Sequence, residues 1–399
     1  MPAPHAPLPR DREATDLYEV EALLDPEDRD TVLRVRDFLE KEVEPVINHH
    51  WARATFPHDL LPGMADLDVT GLAYHGYGFP GRSNLVSGLV SMEMARVDPS
   101  IATFYGVHGG LAIGTVLLCG SEEQRQRWLP AMRRMELTGA FGLTEPQVGS
   151  GAAGGLTTTC RRDGDGWVLD GEKKWIGNAT FADLVIIWAR DVADGQVKGF
   201  VVEQGTPGFT AEKMEDKIAL RVVQNAHLRL EGVRVPESHR LQGANSFKDT
   251  ARVLRMTRAG VAWMAVGCAK GAYEHALAYA RDREQFGKPI GSFQLVQDLL
   301  VRMLGNTVAS QAMLVRLSQL QDADRMTDEQ ASLAKAFCTV RMRETCGYAR
   351  ELLGGNGVLL ENHVGRFVAD AEAIYSYEGT REVNTLIVGR ALTGRGAFV

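Results

Sequence analysis

Five short stretches, in chain order, carry residue types able to do chemistry. Phe141-Gly142-Leu143-Thr144-Glu145-Pro146 leads to Gly149-Ser150, and Lys174-Trp175-Ile176-Gly177-Asn178 follows. Arg283-Glu284-Gln285-Phe286-Gly287 is succeeded by Phe293-Gln294, then Leu353-Gly354-Gly355-Asn356-Gly357, then Tyr377-Glu378-Gly379-Thr380. A carboxylate can take up a proton, a guanidinium can grip a phosphate through two parallel hydrogen bonds, and glycines let a ligand approach the backbone. Each stretch also has an ordinary explanation when read alone. The glycine run suits a helix end, Tyr377 to Thr380 suits a solvated turn, and Trp175 suits a core.

Other chemistries lack their signatures. There is no G-x-x-x-x-G-K-[ST] phosphate loop, no G-x-G-x-x-G convincingly placed after a strand and no G-x-S-x-G nucleophile elbow. The ten histidines avoid the short spacings of a metal site, and His49-His50 reads as solvated surface, so no metal is expected. Cys119, Cys160, Cys268, Cys338 and Cys346 stand far apart with no C-x-x-C pair, which predicts buried free thiols in a reducing compartment.

The elements that must position these residues fall into three segments. Val32, Val35, Leu39 and Val43 form one apolar stripe, and stretches near 83–97 and 121–134 also read as helices, the latter opened by Ser121. Over 137–245 the period changes to that of strands. Asp170-Gly171 reads as a hairpin turn between Trp167-Val168-Leu169 and Glu172 to Trp175, and Gly205 to Gly208 and Gly232 read as further turns. Leu184 to Ala189, Gly199 to Glu203 and His227 to Val235 supply other strands of an antiparallel domain. From 246 the helical period returns, with Leu300, Leu304, Val308 and Val315 on one face and an Ala- and Gly-rich stretch from Ala259 to Ala280 that permits close helix packing. The predicted fold class is therefore α+β, mainly α. Its parts are a loose tail over 1–20, a helical domain over 21–136, a β domain over 137–245 and a helical bundle over 246–399.

Bulk properties narrow the partners. The chain has 399 residues, 45% of them apolar and 24% charged, with a net charge of −7. That composition argues against nucleic acid as main partner, and no apolar run of about 18 residues is apparent, so no membrane span is expected. The start has no secretory apolar core and the end no peroxisomal address, so a cytoplasmic location is expected.

Taken together and in this order, the five stretches resemble the acyl-CoA dehydrogenase family over nearly the whole chain. Within it, glutaryl-CoA dehydrogenase and the plant peroxisomal short-chain acyl-CoA oxidases look closest, the latter sharing Trp175-Ile176-Gly177-Asn178, Phe181-Ala182-Asp183-Leu184 and Val223-Gln224-Asn225. The resemblance implies an N-terminal helical domain, a middle antiparallel β domain, a C-terminal four-helix bundle, bound FAD and a homo-oligomer, dimer or tetramer. It implies Glu378 as the base that removes the α-proton of an acyl-CoA, with the β-hydrogen passing to the flavin. Thr144, Trp175 and Thr380 would border the flavin. Arg283, Gln285 and Phe286 would reach it across a subunit interface, and Gln294, Gly354 and Gly355 would line its adenosine diphosphate part. Ser150, Arg258 and Tyr377 fall on the substrate side.

Three positions depart from the family pattern. Gly151 replaces an aspartate expected after Ser150, and Gly177 replaces a threonine whose hydroxyl bonds the flavin. Ala102 stands where the glutaryl branch holds an arginine for its distal carboxylate, which disfavours glutaryl-CoA. The expectation is α,β-desaturation of a short acyl-CoA, with an electron-transfer flavoprotein as acceptor. Alternatives are an oxidase passing electrons to O2, a dehydrogenase of carrier-protein-bound acyl groups, and a flavin-free binding or scaffold protein.

Overall fold

The computed structural model describes residues 16–397. Of the tail expected over 1–20, the part up to residue 15 lies outside the described residues, as do the last two residues of the chain. Asp25 accepts a 2.8 Å hydrogen bond from the Asp28 N–H and opens the helix Pro26–Phe38, in which proline takes the first position, where no N–H is needed. Val32, Val35, Leu39 and Val43 are all buried, as their spacing predicts. The stripe continues through a π-helical segment, Leu39–Val43, into Glu44–Arg53. Ser83 caps Asn84–Val97, and a reciprocal pair, Ser121 with Gln124, caps Glu122–Arg133.

One expectation needs correcting here. The helical run Pro99–Cys119 has 21 residues, and an 18-residue window within it has a mean hydropathy of 1.5, enough by length and composition to cross a bilayer. Its apolarity has another use, because 72% of that window is buried inside the fold.

The β domain is one seven-stranded sheet. In spatial order it runs Gly139–Gly142, Leu184–Asp191, Thr159–Asp163, Gly166–Ile176, Ala226–Pro236 and Phe209–Lys213, with Val197–Glu203 paired to Leu184–Asp191. Most pairings are antiparallel, but Leu184–Asp191 runs parallel to both Gly139–Gly142 and Thr159–Asp163. Asp170-Gly171 is not a hairpin turn, and Gly232 does not end a strand. Both lie inside long strands, at a bulge where the ladder slips between the pairs Leu169–Val233 and Gly171–Leu230. The Asp170 carboxylate accepts the Gly232 N–H at 2.7 Å, and Gly232 takes a φ of +64°. An Asp-Gly pair satisfies a bulge as readily as a turn, and the reversal itself falls at Gly164, with φ +62°.

The C-terminal part holds three long helices, Phe247–Asp282, Gln294–Asp322 and Asp328–Leu353, and two shorter ones, Val364–Ser376 and Arg381–Thr393. Leu300, Leu304, Val308 and Val315 flank the buried face of Gln294–Asp322, whose deepest residues are Met303, Thr307, Ser310 and Leu314. Close packing by glycine is real: a Cβ on Gly267 would stand 2.1 Å from the Met92 carbonyl oxygen, and one on Gly271 2.1 Å from that of Arg96. Glu93, fully buried on the facing helix Asn84–Val97, accepts from Arg36 at 3.0 Å and Arg96 at 2.8 Å and pairs with Lys270 of Phe247–Asp282 at 3.7 Å, joining three helices through one carboxylate. Asp370 ties the domains together by accepting from the Leu220 N–H at 2.6 Å and the Trp51 indole at 3.0 Å. All five cysteines are free and buried, as expected.

Candidate active site

Between the helices Val364–Ser376 and Arg381–Thr393 the chain makes a tight left-handed turn, Glu378 at φ +51° and Gly379 at φ +85°. A glutamate there is unusual, and such backbone is retained where its surroundings fix it. Lys335, fully buried on Asp328–Leu353, donates from Nζ to the carbonyls of Tyr375 and Gly379 at 2.8 Å each. Asn384 donates to the Gly379 carbonyl at 2.9 Å, and the Thr380 hydroxyl caps the next helix by accepting from the Val383 N–H at 3.2 Å. The turn is thus held on both flanks.

Glu378 and Tyr377 line a cavity of about 140 Å³ together with Thr103, Val107, Thr257, Trp263 and Met264. Glu378 is the only charged residue among those lining it. Burial pushes its carboxyl up to about 7, while a hydrogen bond from Thr257 and attraction from Arg258 and Lys335 pull the other way. Its Oε2 is buried without a hydrogen-bond partner among the described residues, and so is Nε of Arg258. Burial lowers the Arg258 pKa, and Glu378 opposes that shift. The Tyr377 hydroxyl contacts Met264 Sδ at 3.6 Å. A carboxylate with a free oxygen and a pKa near neutrality, at a cavity with no other charged lining residue, can serve as a general base.

A second feature flanks the cavity. Lys173, buried, donates to the Leu143 carbonyl at 3.1 Å and to Glu145 at 2.9 Å, and the Lys174 N–H donates to the Thr144 carbonyl at 2.8 Å. These bonds bring Thr144 beside the end of strand Gly166–Ile176. There Trp175, at φ +68°, leaves its indole 55% exposed rather than in the core. Two residues on, a Cβ at Gly177 would lie 3.4 Å from Val107, itself a cavity-lining residue. The exposed indole and the Thr144 hydroxyl, which makes no hydrogen bond among the described residues, do not line the cavity themselves but stand near it, through the approach of Gly177 to Val107. They fit the flat, hydrogen-bonding ring system of a flavin. Ser150 is exposed on the loop after Thr144.

The remaining expected residues are elsewhere. Arg283, Gln285 and Phe286 form the exposed hairpin Glu284–Gln285/Lys288–Pro289, with Phe286 92% exposed. Gln294 begins the next helix, and Gly354 and Gly355 are exposed with open space at their Cβ positions. Asn356, beside those glycines, donates to the Tyr279 hydroxyl at 2.8 Å, so both groups sit at one end of Phe247–Asp282. That helix carries the chain from Arg258 to Arg283, roughly 37 Å at about 1.5 Å per residue. Within one chain, then, Glu378, Tyr377, Thr380 and Arg258 come together, while the hairpin set stands apart.

Sequence reading missed Lys335 and Thr257. The signal for Lys335 was a lysine inside the apolar run Ala331 to Cys338, which only makes sense if it is paired or functional. Spacing also could not show that ligand atoms of Glu44, His275 and His363 lie within 4.8 Å of one another. The two imidazoles are stacked, 4.4 Å apart and 3° from parallel, so their in-plane lone pairs do not converge on one point.

Comparison with known proteins bears on the whole chain. Profiles described as the N-terminal, middle and C-terminal domains of acyl-CoA dehydrogenase match residues 25–136, 140–233 and 247–393. The probable acyl-CoA dehydrogenase YngJ of Bacillus subtilis (strain 168) is 34% identical over 364 residues, 90% of this chain and 96% of its own. The mitochondrial short-chain specific acyl-CoA dehydrogenase of Rattus norvegicus is 31% identical over 358 residues, 88% of this chain and 87% of its own. A solved glutaryl-CoA dehydrogenase of Mycobacterium smegmatis in complex with FADH2 superposes with a TM-score of 0.94 at 35% identity, covering 98% of this chain and 100% of that one. Three domain profiles in order and relatives matched over nearly their whole length leave one conclusion: the chain belongs to the acyl-CoA dehydrogenase family, an FAD-dependent oxidoreductase acting on acyl-CoA.

Proposed function

We propose that this chain desaturates a short acyl-CoA between its α and β carbons, with Glu378 as the base that takes the α-proton. One observation carries the proposal: the Glu378 carboxyl, pushed up to about 7, keeps an unpartnered oxygen at a small cavity. FAD, when bound, supplies the acceptor for the β-hydrogen. The chain does the rest. Trp175 and Thr144 orient the ring against the cavity wall, and the cavity excludes water from the carbanion-like transition state. The Glu378 N–H, which makes no hydrogen bond among the described residues, is available to the thioester oxygen as charge develops there.

Cavity size supports a short chain. An apolar void of about 150 Å³ holds a molecule the size of benzene, and about 140 Å³ is available here. A glutaryl group is disfavoured. Ala102 is buried in the core and no cation lines the cavity, so a distal carboxylate would be left without a counter-charge. Electrons then pass to an electron-transfer flavoprotein. Gly177 supports O2 as the alternative acceptor, because no hydroxyl stands beside the ring at that position.

The distance between hairpin and base supports a shared site. Arg283, Gln285, Phe286, Gln294, Gly354 and Gly355 serve the flavin of a second copy, whose surface also covers the exposed Phe286 and Leu295.

The test is spectroscopic. The purified holoenzyme is mixed with butyryl-CoA without oxygen and the visible flavin band is followed. Bleaching is expected, and readmitted air that restores the colour within turnover time would assign the oxidase alternative. A yellow protein that no saturated acyl thioester bleaches, on CoA or on a carrier protein, would overturn the desaturation reading.

A further inference from the structure

One side of the cavity carries polar groups that no other described residue satisfies. Asn84, Ser87, Gly88 and Ser91 occupy one face of the helix Asn84–Val97, at the i, i+3, i+4 and i+7 spacing, and all four line the cavity. Gly88 makes room for the Trp263 indole, since a Cβ there would stand 2.2 Å from its Nε1. Gln321 lines the cavity from another helix, Gln294–Asp322. Among the described residues, no protein group hydrogen-bonds the hydroxyl of Ser87, that of Ser91 or the side-chain amide of Gln321. Asn84 commits its amide N–H to Asp322 at 2.7 Å, leaving its carbonyl oxygen free.

Apart from the Glu378 carboxyl, the other polar lining side chains are occupied. The Tyr74 hydroxyl donates to the Gly109 carbonyl at 3.1 Å, Tyr105 donates to the Val69 carbonyl, and Thr103 donates to the Pro99 carbonyl at 2.8 Å. A methyl terminus pressed against Ser87, Ser91 and Gln321 would strip their water and return no hydrogen bond. A charged terminus would meet no opposite charge, because Glu378 is the only charged lining residue and is itself an acid.

Resting on the desaturation reading, we infer that the substrate is an acyl thioester whose far end carries an uncharged hydrogen-bonding group, a ketone, hydroxyl or carboxamide, held by Ser87, Ser91 and Gln321. A site that hydrogen-bonds its substrate rejects the analogue lacking that group far more strongly than an apolar pocket rejects one methylene.

The experiment separates binding from turnover. Calorimetry on the E378Q holoenzyme compares 4-oxopentanoyl-CoA with pentanoyl-CoA and 5-oxohexanoyl-CoA with hexanoyl-CoA. In at least one pair the oxo form is expected to bind about tenfold or more tightly. S87A/S91A in that background should bring the ratio below about twofold, and Gln321→Leu, on a different helix, should narrow it independently. Equal or tighter binding of the alkyl form in both pairs overturns the inference, as does a preference that survives all three changes. Flavin bleaching of the unmutated enzyme is scored separately. If it fails while the binding preference holds, the desaturation reading falls and the polar end of the cavity stands.

Discussion

The Lys335 ammonium lies 2.8 Å from the Gly379 carbonyl, and the same group reaches the Tyr375 carbonyl at 2.8 Å, so one buried cation clamps both sides of Glu378. No carboxylate forms a salt bridge with it among the described residues, and burial pushes its pKa down to about 8. Lys335→Met keeps the bulk and removes both hydrogen bonds and the charge. The Tyr375 carbonyl would lose its partner while Asn384 still reaches that of Gly379, which should destabilise the fold by about 1–3 kcal/mol. Because Lys335 also pulls the Glu378 pKa down, its loss should move the acid limb of kcat/KM to higher pH. A purely structural role would lower Tm and leave that limb in place.

Glu378→Gln tests the base directly. The amide keeps shape and polarity but cannot take a proton, so flavin reduction by substrate should fall roughly 10²-fold or more. Flavin content, read from the visible-to-ultraviolet absorbance ratio, should not change. Full activity in this variant would remove Glu378 from its role.

The pH dependence follows from the same carboxyl. Burial raises its pKa from 4.5 to about 7, and the base works only when ionised. Anaerobic flavin reduction should therefore rise about tenfold per pH unit up to about 7 and level off above it. Stability runs the other way. A carboxyl whose pKa is raised on folding contributes stability that is fully present below 4.5 and lost as pH climbs through about 7. Activity and Glu378-linked stability thus have opposite slopes over that window, and stopped-flow and thermal melts across it would show both.

Close helix packing makes a sharp case of competing magnitudes. Alanine in place of a helical glycine ordinarily gains about 1 kcal/mol. At Gly267 the new Cβ would stand 2.1 Å from the Met92 carbonyl oxygen, a backbone atom that cannot swing away. Overpacking costs about 1–3 kcal/mol or more, so Gly267→Ala should lower Tm. A rise in Tm would mean that the helices Asn84–Val97 and Phe247–Asp282 are not packed this tightly.

The sequence showed the three-part layout well, because hydrophobic periodicity reports burial on one face. The Val32 to Val43 stripe and the buried strand at Leu184 depended on nothing distant. Asp170-Gly171 was misread because a bulge and a turn ask the same of a glycine; only the Asp170–Gly232 contact across the sheet decides. The positions of Glu378 and Trp175 were legible as motifs, but their environment was not. Lys335 shows locally only as a lysine inside an apolar run, and neither what it clamps nor the free hydroxyls of Ser87 and Ser91 has a local signature. Both depend on which helix faces which, and pairwise distances of that kind are absent from spacing along a chain.

The last prediction concerns the hairpin. The Arg283 side chain makes no hydrogen bond or ion pair among the described residues, and Phe286 is 92% exposed, so neither side chain stabilises its own chain appreciably. Arg283→Ala should leave Tm of the flavin-free protein within about 0.5 kcal/mol of its parent in stability terms, yet lower flavin content and activity. If the hairpin serves a second copy's flavin, R283A and E378Q must complement each other. Each variant alone is expected to be nearly inactive, but in mixed oligomers one site joins the intact base of the R283A chain to the intact hairpin of the E378Q chain. Co-expressed chains with different tags, purified through both, should recover a substantial part of the parent activity. In mixed dimers the ceiling is half of the sites. Activity no higher than that of the two variants alone would place the hairpin outside its neighbour's active site.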